Sequence, residues 1–216
     1  EVLPWGVDRE IFHPMRDAED GLTTRPAGSD SGTVISASPI VLSIRAARPL
    51  YNLLVLADAM PVVLARVPAA RFIIRTYSVD NALLTEFRAR VEASGVSGAV
   101  DYVGDLPDDH AIAELYRQAA VAVSVPSSDG TPQSVLEAMA CGAVPVLSDL
   151  PWLREWVQDG HVALVVPVGD SEALARAIVR LLTEASLAER LRAAGLDLVR
   201  DRADSSLWMA RNEAIY

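Results

Sequence analysis

Six short apolar runs of strand length punctuate the chain, at residues 40–44, 71–74, 99–103, 121–125, 144–147 and 162–166. Between them lie stretches in which apolar positions recur with helical period, at 53–66, 81–93, 109–119, 133–141 and 151–158. Two further helical stretches, near 171–184 and 186–200, close the pattern. The strand runs are almost continuously apolar rather than alternating, which predicts burial on both faces. That is the pattern of a parallel sheet covered by helices on each side. Strand and helix alternate roughly every 20 to 30 residues, and right-handed crossovers then give a doubly wound, Rossmann-like α/β sheet. Residues 16–39 are rich in Gly, Ser, Thr, Asp and Pro without periodicity and read as an exposed connector. The expected organisation is a linker and loop over 1–39, one Rossmann-like domain over 40–204, and a trailing segment over 205–216.

Composition narrows the chemistry. With 19 basic and 29 acidic residues the formal charge is −10, so nucleic acid is not an expected partner and membrane association is not indicated. No uninterrupted apolar run has the roughly 18 residues of a membrane span. One cysteine and three histidines supply neither a disulfide framework nor a zinc cluster. Every basic residue is Arg, which excludes a lysine Schiff base and a P-loop lysine. No G-x-S-x-G, G-x-G-x-x-G or Walker loop is present, so hydrolase, dehydrogenase and NTPase readings have no support.

In a doubly wound sheet ligands gather at the carboxyl ends of the strands. The loop after residue 125 reads Pro126-Ser127-Ser128-Asp129-Gly130-Thr131-Pro132-Gln133-Ser134-Val135-Leu136-Glu137, followed by Ala-Met-Ala-Cys-Gly. Thr131 suits a helix cap and Pro132 a first helical position. The free amides of Gln133, Ser134 and Val135 would then face the loop and, with the helix dipole, favour an anion such as phosphate. Glu137 interrupts an otherwise apolar helix, roughly 8 Å along its axis. A buried carboxylate needs donors. The hydroxyls of a ribose attached to that phosphate would serve, and so would an Arg from a neighbouring helix.

Asp129-x7-Glu137 with Ala-Met-Ala-Cys-Gly resembles the donor-site signature of retaining family-4 (group 1) glycosyltransferases of the GT-B fold, normally Glu-x7-Glu. Supporting segments occur in the family's order: Pro4-x-Gly6-Val7-Asp8 with Phe12-x-Pro14, Leu42-Ser43-Ile44-Arg45, Val103-Gly104 with Glu114-Leu115-Tyr116, Glu155-x3-Asp159-Gly160, and Val166-Pro167-x2-Asp170. The resemblance implies that the chain is the C-terminal, nucleoside diphosphate sugar-binding half of such an enzyme. It implies that the chain starts at the interdomain linker, that an acceptor-binding N-terminal domain is the missing partner, and that residues 205–216 cross to it. Glu137 would hold the ribose, Asp129 would contact the transferred sugar, and Arg45 would neutralise the diphosphate. Backbone from Ser128 and Gly130 through Thr131, Pro132, Gln133, Ser134 and Val135 would cradle diphosphate and sugar. Val103, Asp105 and Leu106 would pack around the base. Members are generally metal-independent, retention is ascribed to front-face departure and attack, and no cofactor or metal is expected. The implied location is cytoplasmic.

Four departures from the family pattern are visible. Asp129 is shorter than Glu by roughly 1.5 Å of reach. The family's Gly-Arg has become Ile44-Arg45, and Leu50 stands where its lysine falls, leaving Arg48 or Arg75 to supply the charge. The Gly-x-Gly loop after the second strand is replaced by Arg75-Thr76-Tyr77. The alternative reading is therefore a degenerate sugar-nucleotide-binding or interaction module without transferase activity. An epimerase or phosphorylase ranks lower, since phosphorylases of this fold use a lysine-bound cofactor. Cys141 reads as a buried hydrophobe, and His13, His110 and His161 as structural. Trp152 and Trp156 read as one packed helix face, and 189–202 as a solvated helix surface.

Overall fold

The computed structural model describes residues 6–15, 38–130 and 133–205. The expectations placed on 16–37, on Thr131 and Pro132, on 206–216 and on the Trp152 side chain lie outside the described residues. Six strands form one sheet: β1 (Ile40–Ser43), β2 (Arg71–Arg75), β3 (Val100–Val103), β4 (Ala119–Ser124), β5 (Val144–Ser148) and β6 (Leu164–Val166). Their spatial order is β3-β2-β1-β4-β5-β6 and every pair is parallel. The helices are α1 (Leu53–Arg66), α2 (Asn81–Ala93), α3 (Asp109–Gln118), α4 (Gln133–Ala140), α5 (Ser171–Thr183) and α6 (Ala185–Leu198).

The apolar strands are buried on both faces because successive residues feed two cores. Val41, Phe72, Ile74, Val121, Val123, Val144 and Val146 point into the layer formed by α1, α2, α5 and α6. Leu42, Ile44, Ile73, Ala122 and Leu147 point into the opposite layer, beneath α3 and α4. Asp80, Asp108 and Asp170 start α2, α3 and α5, each carboxylate accepting from the amide three residues on (Leu83, Ala111 and Ala173) at 2.8–3.0 Å.

Two expectations need correction. The helix read over 151–158 is only a 3-10 turn, Pro151–Glu155. The chain then reverses at Asp159-Gly160, where Gly160 has φ +70° and the Asp159 carboxylate accepts from the Val165 amide at 2.9 Å. The 189–202 surface is only partly solvated, because Leu191, Gly195 and Val199 turn inward while the charged residues stay outside. Separately, the stretch Pro49–Arg66, a 3-10 turn and α1 joined at Asn52, has mean hydropathy 1.3, enough by length and composition alone to cross a membrane. In this fold Leu53, Leu56, Met60 and Val63 of that segment cover the sheet.

The segment before the sheet is part of the same body. Val7 and Phe12 are buried in the α3/α4 core, and the Phe12 and Tyr116 ring centroids are 6.2 Å apart. The Val7 amide donates to the Ala203 carbonyl (2.6 Å) and the Ser205 amide to the Val7 carbonyl (3.0 Å). Arg9 pairs with Asp204 at 2.9 Å. Gly6 is required here: a Cβ would lie 2.2 Å from the Ser205 Cα.

Candidate donor site at the switch point

The strand order reverses direction between β1 and β4, so the helices that follow these two strands leave toward opposite faces and open a crevice at their carboxyl ends. Arg45 leaves the end of β1, and Asp129 lies in the loop after β4. They meet across the crevice. The Arg45 guanidinium lies 3.0 Å from Asp129 Oδ2 and donates to Oδ1 at 3.2 Å. Its other terminal nitrogen donates to Ser134 Oγ at 3.1 Å, in the first turn of α4. The Tyr51 ring lies under the guanidinium, 4.3 Å from centroid to Cζ. The two side chains are 14% and 13% exposed, so the pair is neither free in water nor sealed. The Gly130 amide donates to Asp129 Oδ1 at 2.9 Å, whereas the buried Oδ2 has the ion-pair contact but no aligned hydrogen bond.

The two loops are joined by a residue that the sequence reading missed. Asn52, at φ +51°, occupies the N-cap of α1 without capping it. Its amide instead donates to the Val125 carbonyl (3.0 Å) and Ser127 Oγ (2.9 Å), and accepts from that hydroxyl at 3.1 Å. The Ser127 amide donates to the Leu50 carbonyl at 2.9 Å. Asn is among the few residues that tolerate the left-handed region, so an Asn ahead of the helix was the available signal.

Glu137 lies one turn beyond Gln133 on α4, about 6 Å along the axis. It is half-buried, and among the described residues no ion pair engages it. Burial pushes its carboxyl above the usual range, and Asp109 adds to that. The Gln133 amide, hydrogen-bonded to it, and the Arg75 guanidinium act in the opposite sense. Gln133 also reaches the Gly6 carbonyl (3.4 Å), while its buried Oε1 lacks a partner.

The remaining candidates are dispersed around this cluster. Arg48 is exposed and bound to the β2–α2 loop, through the Ser78 carbonyl (2.7 Å) and hydroxyl (2.9 Å). Arg75 is 6% exposed and turns down under α3 and α4, against the Tyr77 ring (4.3 Å) and the Tyr116 hydroxyl. Val103 and Leu106 are half-buried beside the α3/α4 core, and Asp105, Ser128 and Gly130 are exposed. Val135 is buried under the loop. The larger grooves are elsewhere. One of about 550 Å³ runs along the ends of β5 and β6 by Asp149, Arg154 and Pro167. Another of about 480 Å³ lies by Trp156 and Arg202, whose guanidinium is 4.5 Å above the indole. Only about 10 Å³ of space adjoins Asp129 and Val135.

Comparison with known proteins gives the chain its place. Residues 38–184 match the family described as glycosyl transferases, group 1. The lipopolysaccharide core biosynthesis mannosyltransferase LpcC of Rhizobium leguminosarum is 31% identical over 192 residues, 87% of this chain and 51% of that enzyme. The chain spans only 35% to 51% of the length of such curated relatives. The crystal structure of the C-terminal domain of a group 1 glycosyltransferase (LpcC) from Francisella tularensis superposes with a TM-score of 0.76 at 18% identity, covering 92% of this chain and 99% of that one. Anabaena HepE, solved with UDP and glucose, superposes with a TM-score of 0.73 at 16% identity, over 84% of this chain and 50% of that one. These likenesses show the shared GT-B C-terminal fold. With the family match covering most of the sheet and the crevice loops, the chain belongs to the group 1 glycosyltransferases.

Proposed function

We propose that this chain is the donor-binding half of a retaining glycosyltransferase, holding a nucleoside diphosphate sugar in the crevice between the ends of β1 and β4. The observation that carries the reading is the convergence of Arg45, Asp129 and Ser134 at the head of α4, with Glu137 one turn along the same helix. The Arg45 guanidinium and the first amides of α4 bind the diphosphate, where positive charge matters most as the leaving group departs. Glu137 accepts from the ribose hydroxyls, and Asp129 touches the transferred sugar. The named activity of the Rhizobium relative makes mannose the first sugar to test, and the UDP bound by the Anabaena neighbour makes UDP the first nucleotide. Acceptor binding falls to an N-terminal domain partner, transfer proceeds with front-face attack, and no metal or cofactor takes part.

Calorimetry of this chain with UDP, GDP and ADP tests the reading: one of them binds, and Glu137→Ala abolishes binding. A folded sample that binds none of the three overturns it. In the complete protein Glu137→Ala should also abolish sugar transfer. A degenerate binding module would have no transfer to lose.

A further inference from the structure

We propose that Asn52 is a positioning residue of the transfer reaction, whose carboxamide holds the two strand-end loops bearing Arg45 and Asp129 in register across the crevice. The inference rests on the donor-site reading above. Asn52 closes the 3-10 turn Pro49–Tyr51, its backbone amide donating to the Pro49 carbonyl at 3.1 Å, and stands at the head of α1. An Asn in that place ordinarily accepts from an amide of the first helical turn. Here the side chain caps nothing, and the backbone sits in the left-handed region at φ +51°. Local stability is given up twice, and what is gained lies on another loop.

The β1–β4 ladder stops with the Ile44 amide on the Val123 carbonyl at 3.3 Å. Past that point the loops need other ties. The Asn52 carboxamide bonds the Val125 carbonyl (3.0 Å), on the first residue beyond β4, and the Ser127 hydroxyl (2.9 Å), two residues before Asp129. It thus grips the loop between its root and its carboxylate. On the other side Tyr51, next to Asn52 in the chain, lies under the Arg45 guanidinium at 4.3 Å. One residue is therefore bonded to the loop of the anion and adjacent to the ring that supports the cation. Being neutral, the tie adds no charge to compete with Arg45 for a diphosphate.

Asn52→Gly tests the proposal, because glycine keeps the left-handed backbone and removes only the carboxamide. Ser127→Ala removes the hydroxyl partner, leaves the Val125 bond, and carries the same readings if a melt shows Asn52→Gly unfolded. In the first arm, nitrogen-15 NMR of the unliganded chain follows the Arg45 guanidinium, assigned by its loss in Arg45→Met. Its signal should shift and its protection from exchange be lost in Asn52→Gly, and less so in Ser127→Ala. In the second, calorimetry with UDP (or GDP or ADP, if that is the diphosphate bound) measures Asp129→Asn with and without Asn52. With Asn52 present the change should tighten binding roughly fivefold, and in Asn52→Gly less than about twofold, the carboxylate being no longer held at the mouth. In the complete enzyme Asn52→Gly should lower kcat roughly tenfold. An unmoved Arg45 signal in the folded variants overturns the proposal. So does an equal effect of Asp129→Asn in both backgrounds, or a wild-type kcat. Failure of the wild-type chain to bind any diphosphate overturns the donor-site reading instead, and the NMR arm still decides whether Asn52 governs the Arg45–Asp129 pair.

Discussion

The Arg45–Asp129 pair makes the sharpest prediction, because its two members should act on nucleotide binding in opposite directions. Arg45→Met keeps much of the side-chain bulk and removes the cation. A hydrogen bond to a charged group contributes about 1.5–3 kcal/mol, so affinity for the diphosphate should fall by roughly 10- to 150-fold. Asp129→Asn keeps the shape and removes an anion from the mouth of a site that takes an anion. Two unit charges about 6 Å apart at an effective dielectric of 20 interact by about 3 kcal/mol. Arg45, at 3.0 Å, already offsets much of the Asp129 charge, and 13% exposure adds solvent screening. About 1 kcal/mol of repulsion should remain, so Asp129→Asn should bind the diphosphate roughly fivefold more tightly. Sugar transfer by the complete enzyme should nevertheless fall.

Isothermal titration of each variant, with a thermal melt beside it, is the assay. The melt separates binding from folding. In Arg45→Met the Asp129 carboxylate keeps the Gly130 amide at 2.9 Å but loses its cation, at a stability cost of about 1–3 kcal/mol. Two folded variants that both lose affinity by the same factor would refute the reasoning, since the pair would then be a structural strut rather than two sides of an anion site.

Other predictions follow from the same geometry. Gly6→Ala drives a Cβ to 2.2 Å from the Ser205 Cα, breaking the two backbone bonds of the clasp; a loss of about 1–3 kcal/mol should appear as a melt lowered by several degrees. Cys141 is 4% exposed and burial pushes its thiol up to about 12, so a thiol reagent at pH 8 should leave it unmodified until the chain unfolds. The Glu137 carboxyl is raised in the folded state, so its contribution to stability is present at low pH and lost as pH rises through that value; Glu137→Gln should raise the melting temperature at pH 8 more than at pH 4 while removing nucleotide binding. Leu50, 46% exposed where the family has lysine, should tolerate Lys, and Leu50→Lys should tighten diphosphate binding at low salt with the gain fading as salt is added.

The sheet was legible because each strand reports its own burial. Val121, Ala122 and Val123 have to be apolar whichever core they face, so the run is visible without knowledge of its neighbours. Helices α2, α3 and α5 were legible from their apolar period, and in the structure each starts at an Asp that caps the amide three residues on. What escaped the reading depends on partners distant in sequence. Asn52 makes sense only beside Ser127, 75 residues on, and Gly6 only beside Ser205. The 151–158 segment has helical period but stops short, because Asp159 is committed to the Val165 amide across a reversal that periodicity does not encode.

The site divides along the same line. The motif from Asp129 to Glu137 was readable because a strand end, a loop and a helix start follow one another in sequence, and the chain folds them into one corner. Arg45 was readable as the candidate cation for the diphosphate, but whether Arg48 or Arg75 stands in for the missing lysine was not, because that choice is tertiary. Arg48 is engaged by Ser78, and Arg75 is drawn beneath the sheet edge by Tyr77 and Tyr116. Arg45 alone of the three reaches both Asp129 and the first turn of α4. With Leu50 in the lysine position, the crevice is served by one guanidinium and the helix amides, and that guanidinium is neutralised by Asp129 until a ligand arrives. On the proposed donor-site reading, a diphosphate would compete with a carboxylate already in place, which would weaken binding while holding Arg45 in the geometry that a departing phosphate requires.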